Sequence, residues 1–164
     1  MANVLELEAA IALRQAARRD GRLVVLTNGL FDLLHVGHLD YLERAGNLGD
    51  VLIVGVNSDL SARTFKGPGH PVVPAPERAR LLAALCIVDV VVIFDEPTAS
   101  ELVRALQPDV YVKGGDYTNK PWPEREVALA TGCRVELIPI LEGHSTSTLV
   151  QSILAAFGRQ PDVG

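Results

Sequence analysis

Five short apolar runs, each followed by a stretch with helical spacing, constrain this chain more than any other feature. The runs are Leu23–Leu26, Val51–Val56, Asp89–Phe94, Asp109–Val112 and Arg134–Ile140. Runs without polar alternation suit strands covered on both faces, as in a parallel sheet wrapped by helices. The expected fold is therefore α/β, with a doubly wound, five-stranded parallel sheet. Helical spacing is expected over 3–19 (Val4, Leu7, Ile11 and Ala12 near one face), 37–47, 59–65, 76–86, 98–106, a stretch ending at Ala130, and 145–157. Asp20-Gly21 and Gly49-Asp50 stop helices, and Thr27-Asn28-Gly29 ends the first strand in a turn. The organisation expected is an N-terminal helix (1–20), one domain (21–158) and a frayed tail (159–164). A length of 164 residues with 48% hydrophobic content fits one domain with a real core.

Composition removes several function classes. Fifteen basic against twenty acidic residues leave a net charge of −5. That balance lacks the basic excess of a protein gripping long nucleic acid, although a local pocket for a small anion is compatible with it. Cys86 and Cys133 lack the spacing of a zinc site or a disulfide framework and read as reduced packing residues. Met1 to Arg19 alternates charged and apolar residues, unlike a signal peptide. No uncharged apolar stretch reaches membrane-spanning length. A soluble, cytoplasmic protein with neither nucleic-acid nor membrane partner is expected.

Ligands of doubly wound sheets bind beyond the C-terminal ends of the strands, and three unusual loops fall there. After strand one comes Asn28-Gly29-Leu30-Phe31-Asp32-Leu33-Leu34-His35-Val36-Gly37-His38. Gly29 lets backbone approach a ligand. His35 and His38 sit three apart at a helix start, where free N–H groups and the helix dipole favour anions. Two such imidazoles can donate to a phosphate. They could also form part of a metal site, for which carboxylate or thiol company is missing. Lys113-Gly114-Gly115-Asp116 follows strand four, and Ser145-Thr146-Ser147-Thr148 opens the last helix as a hydroxyl-rich anion nest or a plain N-cap. Lys66 lies in the Gly/Pro loop Lys66-Gly67-Pro68-Gly69-His70-Pro71, where a long cation can close over phosphates or simply be solvated. Asp32 could cap the next helix or orient a histidine. Trp122, between two prolines, packs a partner subunit or shields a substrate.

The segment Gly29-Leu30-Phe31-Asp32 with His35-Val36-Gly37-His38 resembles the GxFDxxHxGH signature of the cytidylyltransferase-like nucleotidyltransferases. Within that superfamily, Lys66-Gly67-Pro68-Gly69, Val112-Lys113-Gly114-Gly115-Asp116-Tyr117 and Ser145-Thr146-Ser147 resemble the bacterial D-glycero-β-D-manno-heptose 1-phosphate adenylyltransferase branch. The resemblance runs from about Gly21 to Leu154 and implies a Rossmann-like nucleotidyltransferase fold. It implies AMP transfer from ATP to heptose 1-phosphate, with pyrophosphate leaving and Mg2+ accompanying ATP.

By the same resemblance His35, His38 and Lys66 are catalytic. Gly29, Leu30, Phe31, Gly37, Arg78, Lys113, Gly114, Asp116, Ser145, Thr146 and Ser147 join the two histidines in binding nucleotide, and no residue is a dedicated metal ligand. Arg78 is expected at the phosphates and Asp116 at the ribose or base. The family commonly has a smaller residue where Leu30 stands, and often a basic residue near Gln151 and Ser152. Relatives suggest a homodimer. Some are fused to a sugar kinase, and no kinase-sized extension is present here, so a stand-alone transferase is expected. Alternatives are a cytidylyltransferase acting on glycerol 3-phosphate or an aminoalcohol phosphate, an FAD synthetase-like enzyme, and a nucleotide-binding regulatory module without turnover. A dehydrogenase is disfavoured because GxGxxG is missing after strand one.

Overall fold

The computed structural model describes residues 3–115 and 122–158. Along them run β1 (Asn3–Val4), α1 (Leu7–Arg19), β2 (Val24–Gly29), α2 (Val36–Gly46), β3 (Val51–Asn57), α3 (Asp59–Lys66) and α4 (Ala75–Ala83). They are followed by β4 (Val90–Phe94), α5 (Ser100–Leu106), β5 (Val110–Gly114), α6 (Pro123–Ala130), β6 (Arg134–Ile138) and α7 (Thr146–Phe157). The five expected strands form a parallel sheet in the order β4-β3-β2-β5-β6.

Among the described residues six strands, not five, make up the sheet. Residues 3 and 4, expected to begin the first helix, pair in parallel with Val90 and Val91 of β4. Leu5 N–H continues the ladder to the Val91 carbonyl at 2.9 Å. Glu6 has extended backbone and α1 starts only at Leu7. The edge of β4 would otherwise present open backbone groups, and a short cover strand satisfies them. Other boundaries move as well. β2 runs to Gly29, so Thr27, Asn28 and Gly29 are strand residues paired with β3 rather than a turn. β5 continues to Gly114, so Lys113 and Gly114 are strand residues rather than loop. α4 closes at Ala83, leaving Cys86 exposed, which corrects its reading as a packing residue. Cys133 is buried, and burial pushes its thiol up to about 11, leaving it protonated and inert.

Period-two alternation divides the strands between two apolar layers. Val24, Leu26, Ile53, Val90, Val92 and Tyr111 face α1, α5 and α6. Val25, Leu52, Val54, Val91, Val110 and Val112 face α2 and α4. The chain winds outward from β2 through β3 to β4, then returns to place β5 on the other side of β2. The reversal between β2 and β5 makes their C-terminal ends the crevice of the sheet. At the opposite end aspartates stitch the strand starts together. Asp50 accepts from Leu23 N–H, Asp109 from Val24 N–H and Asp89 from Leu52 N–H, each at 2.8 Å. No helix among the described residues is long and apolar enough to cross a membrane.

Candidate active site

The β2–α2 loop is shaped by two residues in the left-handed backbone region, Phe31 (φ 50°) and Leu33 (φ 49°). Each costs about 1 kcal/mol for a residue with a Cβ, so surrounding contacts must hold the loop. Asp32 supplies two of them. Its buried carboxylate accepts the Val72 N–H at 2.8 Å and the Val73 N–H at 3.0 Å. It thus fastens the loop to the segment that follows Lys66 and does not cap α2. His70 Nδ1 lies 3.7 Å from the same carboxylate. Arg78 supplies another contact. Expected at the phosphates, it is 1% exposed and points inward. Its guanidinium donates to the carbonyls of Leu30 (2.5 Å), Val73 (2.7 Å) and Asn57 (2.9 Å), and pairs with Asp59 at 2.9 Å. Arg78 therefore reaches the nucleotide loop through the Leu30 backbone.

His35 is the N-cap of α2 and His38 its third residue. His35 Nδ1 accepts the Gly37 N–H at 3.1 Å, and His38 Nδ1 accepts the His35 N–H at 3.3 Å. This reciprocal cap stacks the rings, with centroids 3.9 Å apart and planes 28° apart. Phe31 packs against His38 at 5.6 Å. Burial, then the neighbouring His35, pushes His38 down to about 4, with the Asp32 carboxylate pulling the other way. Burial and then His144 lower His35 as well. Both rings are neutral at pH 7. Since each Nδ1 accepts a backbone N–H, each proton belongs on Nε2. The pair thus carries two N–H donors at the start of α2, where the helix's own leading N–H groups also favour an anion. Gly37 is tightly enclosed: a Cβ there would come within 3.0 Å of the His35 ring and the His144 carbonyl. Gly29 is similarly covered, with the Phe31 ring 3.1 Å from a would-be Cβ.

The start of α7 joins the same mouth. Thr146 Oγ1 donates to the Asp32 carbonyl at 3.1 Å, and Ser145 caps the helix by accepting the Thr148 N–H at 3.1 Å. Ser147 is exposed beside them. On the crevice floor, Tyr41 of α2 bridges Thr27 of β2 (2.5 Å) and the Val112 carbonyl of β5 (3.2 Å), and its ring lies against Gly114. Lys113 is half-buried. Desolvation lowers its pKa, opposed by Glu124 at 3.4 Å, and its ammonium also donates to Asn28 Oδ1 at 3.1 Å. Lys66 is exposed at the end of α3, its ammonium 5.4 Å over the exposed Phe65 ring. Among the described residues no hydrogen bond joins Lys66 to either imidazole. Asp116 lies outside the described residues.

Asn28, Asp59, Glu124 and His144 were missed as site residues. Asn28 stood in the signature loop, and Glu124 in the first turn of a Pro-led helix. Long-range partners give both their roles: Asn28 also accepts from Tyr111 OH at 2.6 Å, and Glu124 from the Ala99 N–H at 3.3 Å. Trp122 packs against the α1/α5/α6 layer, its ring 6.3 Å from Tyr111.

Two imidazoles thus stand at a helix start beyond the switch point of a parallel sheet. The chain belongs to the cytidylyltransferase-like family, whose model matches residues 26–151. It is 52% identical over 123 residues (71% of this chain, 25% of the relative) to the "Bifunctional protein HldE" of Syntrophotalea carbinolica. It is 53% identical over 117 residues (71% and 24%) to the protein of that name in Geotalea uraniireducens. The chain spans about a quarter of the length of these curated relatives. A solved lipopolysaccharide core biosynthesis protein from Thermoplasma volcanium superposes with a TM-score of 0.61 at 28% identity, covering 76% of this chain and all of that one.

Proposed function

We propose that the protein transfers AMP from ATP to D-glycero-β-D-manno-heptose 1-phosphate, giving ADP-heptose and pyrophosphate in the cytoplasm. The observation that carries this reading is the stacked His35–His38 pair with both Nδ1 atoms capped and both Nε2–H groups left as donors. The heptose branch rests on the similarity to the HldE proteins. In the reaction a phosphate oxygen of the sugar phosphate attacks the α-phosphorus, and the bond to the β-phosphate bridging oxygen breaks. Catalysis of this kind is positioning and charge stabilisation. The imidazoles donate to the triphosphate as charge builds on the departing pyrophosphate. An arriving polyanion raises the pKa of both rings, so binding draws protons onto a pair that is neutral when empty.

Gly29, Leu30, Phe31 and Gly37 present backbone to the nucleotide, and Arg78 positions that backbone through Leu30. Ser145, Thr146 and Ser147 extend the anion nest at α7. Lys113 and Gly114 form the crevice floor, with Asp116 reaching the ribose or base. Lys66, the last residue of α3 rather than part of the following loop, closes onto the phosphates from that helix end. Mg2+ supplies charge neutralisation between phosphate oxygens. Among the described residues no group of three His, Cys, Asp or Glu side chains is arranged to hold a metal ion. Both oxygens of Asp32, beside the histidine loop, already accept backbone N–H groups. The ion therefore belongs with the triphosphate and water rather than in a protein cage.

We further propose a homodimer. α7 has no charged residue and buries none of its twelve, and Leu154 (62% exposed) and Phe157 (84%) lie on its surface. A helix of this length gains most of its stability from packing, and light scattering should report a dimer that Leu154→Glu dissociates. The functional test is incubation with Mg2+, ATP or CTP, and a panel of phosphorylated acceptors, with products identified by mass. ADP-heptose with pyrophosphate is expected. Turnover only with CTP, or nucleotide binding with no turnover on any acceptor, would reject the assignment.

A further inference from the structure

The face of α1 that meets α5 carries a second polar site, far from the histidines. Ile11, Arg14, Gln15 and Arg18 are spaced to share one helical face. With Leu106 and Gln107 at the end of α5 they line a cavity of about 150 Å³. Arg14 is only 5% exposed, yet it is an incompletely used cation. Its Nε donates to the Gln107 carbonyl at 2.9 Å, and one terminal nitrogen pairs with Asp109 at 3.0 Å. The other terminal nitrogen, Nη1, is buried without any hydrogen-bond partner. Buried guanidinium N–H groups are almost always satisfied, so this nitrogen marks a place for an acceptor.

The charge balance says what kind. Two arginines and two glutamines line the cavity, and no acidic residue does. Asp109 neutralises one guanidinium, which leaves one net positive charge. Gln107 is held in the left-handed region (φ 44°) as the cap of α5, which brings its carbonyl onto Arg14 Nε. That contact covers the negative end of the short helix. We propose that this cavity is a binding site for a small oxyanion of the phosphate type, held by Arg14 Nη1 with Arg18 and the carboxamides closing on it. It lies at the start of β5, whereas the crevice lies at that strand's other end, so the two sites are separate. Because Asp109 also holds the Val24 N–H, an anion on Arg14 bears directly on the starts of both crevice strands.

The test is a 15N NMR titration of the full chain with inorganic phosphate, with ionic strength held constant by chloride. Saturable shifts of the Arg14 Nε–H and of the Gln15, Arg18 and Gln107 amides are expected. They should persist in His38→Ala, since the crevice is elsewhere. Gln15→Glu changes an exposed residue, adds a carboxylate at the rim, and should weaken the effect at least roughly tenfold. Arg14 resonances that stay still, that respond equally to chloride, or that saturate unchanged in Gln15→Glu would overturn the proposal. So would a response confined to the amides of 35–38.

Discussion

The two ends of one sheet are built on opposite rules. At the N-terminal end, Asp50, Asp89 and Asp109 each accept the N–H of a neighbouring strand, so carboxylates fix register and satisfy backbone. At the C-terminal end the chain tolerates two left-handed residues, two imidazoles kept neutral by burial and a half-buried lysine. Local cost of this kind persists only where surroundings over-determine it. Here Arg78 and Asp32 do so, gripping the loop from the α3–α4 side. The contrast separates stability from chemistry along a single strand: β5 begins beside Asp109 and ends at Lys113 and Gly114.

Substitutions at the two ends should therefore divide cleanly. His38→Ala is expected to lower turnover at least about 100-fold, the scale of losing one preorganised donor, with little change in thermal midpoint. Asp109→Ala should do the converse. It strands the buried Arg14 charge and the Val24 N–H and costs about 2 kcal/mol by denaturant titration, while turnover per folded molecule stays near the parent value. Gly37→Ala drives a methyl against the His35 ring and should cost turnover roughly tenfold. A wild-type rate there would show that ring placement is not critical. Lys66→Ala should reduce turnover severalfold while calorimetry finds ATP affinity less changed. A further effect is pH-dependent. His38 titrates near 4 in the folded protein and near 6.5 unfolded. The unfolded state thus binds more protons between those values, and this contribution to stability falls as pH drops from about 6.5 to 4. In His38→Ala that part of the slope should vanish.

Much of this division was legible in the sequence, for physical reasons. Buried parallel strands announce themselves as apolar runs, and the histidines stand beside a glycine turn at a helix start. β1 was not legible, because two residues gain strand character only from the edge of β4. Lys113 was read as loop because its partners, Asn28 and Glu124, are distant in sequence. Arg78 was assigned to phosphate on motif alone, and only the fold reveals that its guanidinium is engaged by three backbone carbonyls and the Asp59 carboxylate. Arg14 gave no sequence signal, because its partners Gln107 and Asp109 lie 93 and 95 residues away.

The central claim is that the paired imidazoles receive the nucleotide's phosphates. The most direct measurement is 15N NMR of the imidazole nitrogens during titration with a non-hydrolysable ATP analogue and Mg2+. The account expects both Nε2 resonances to move together and the pKa of His38 to rise from about 4. Saturation of the protein with the analogue while both rings keep their shifts and pKa values would contradict it.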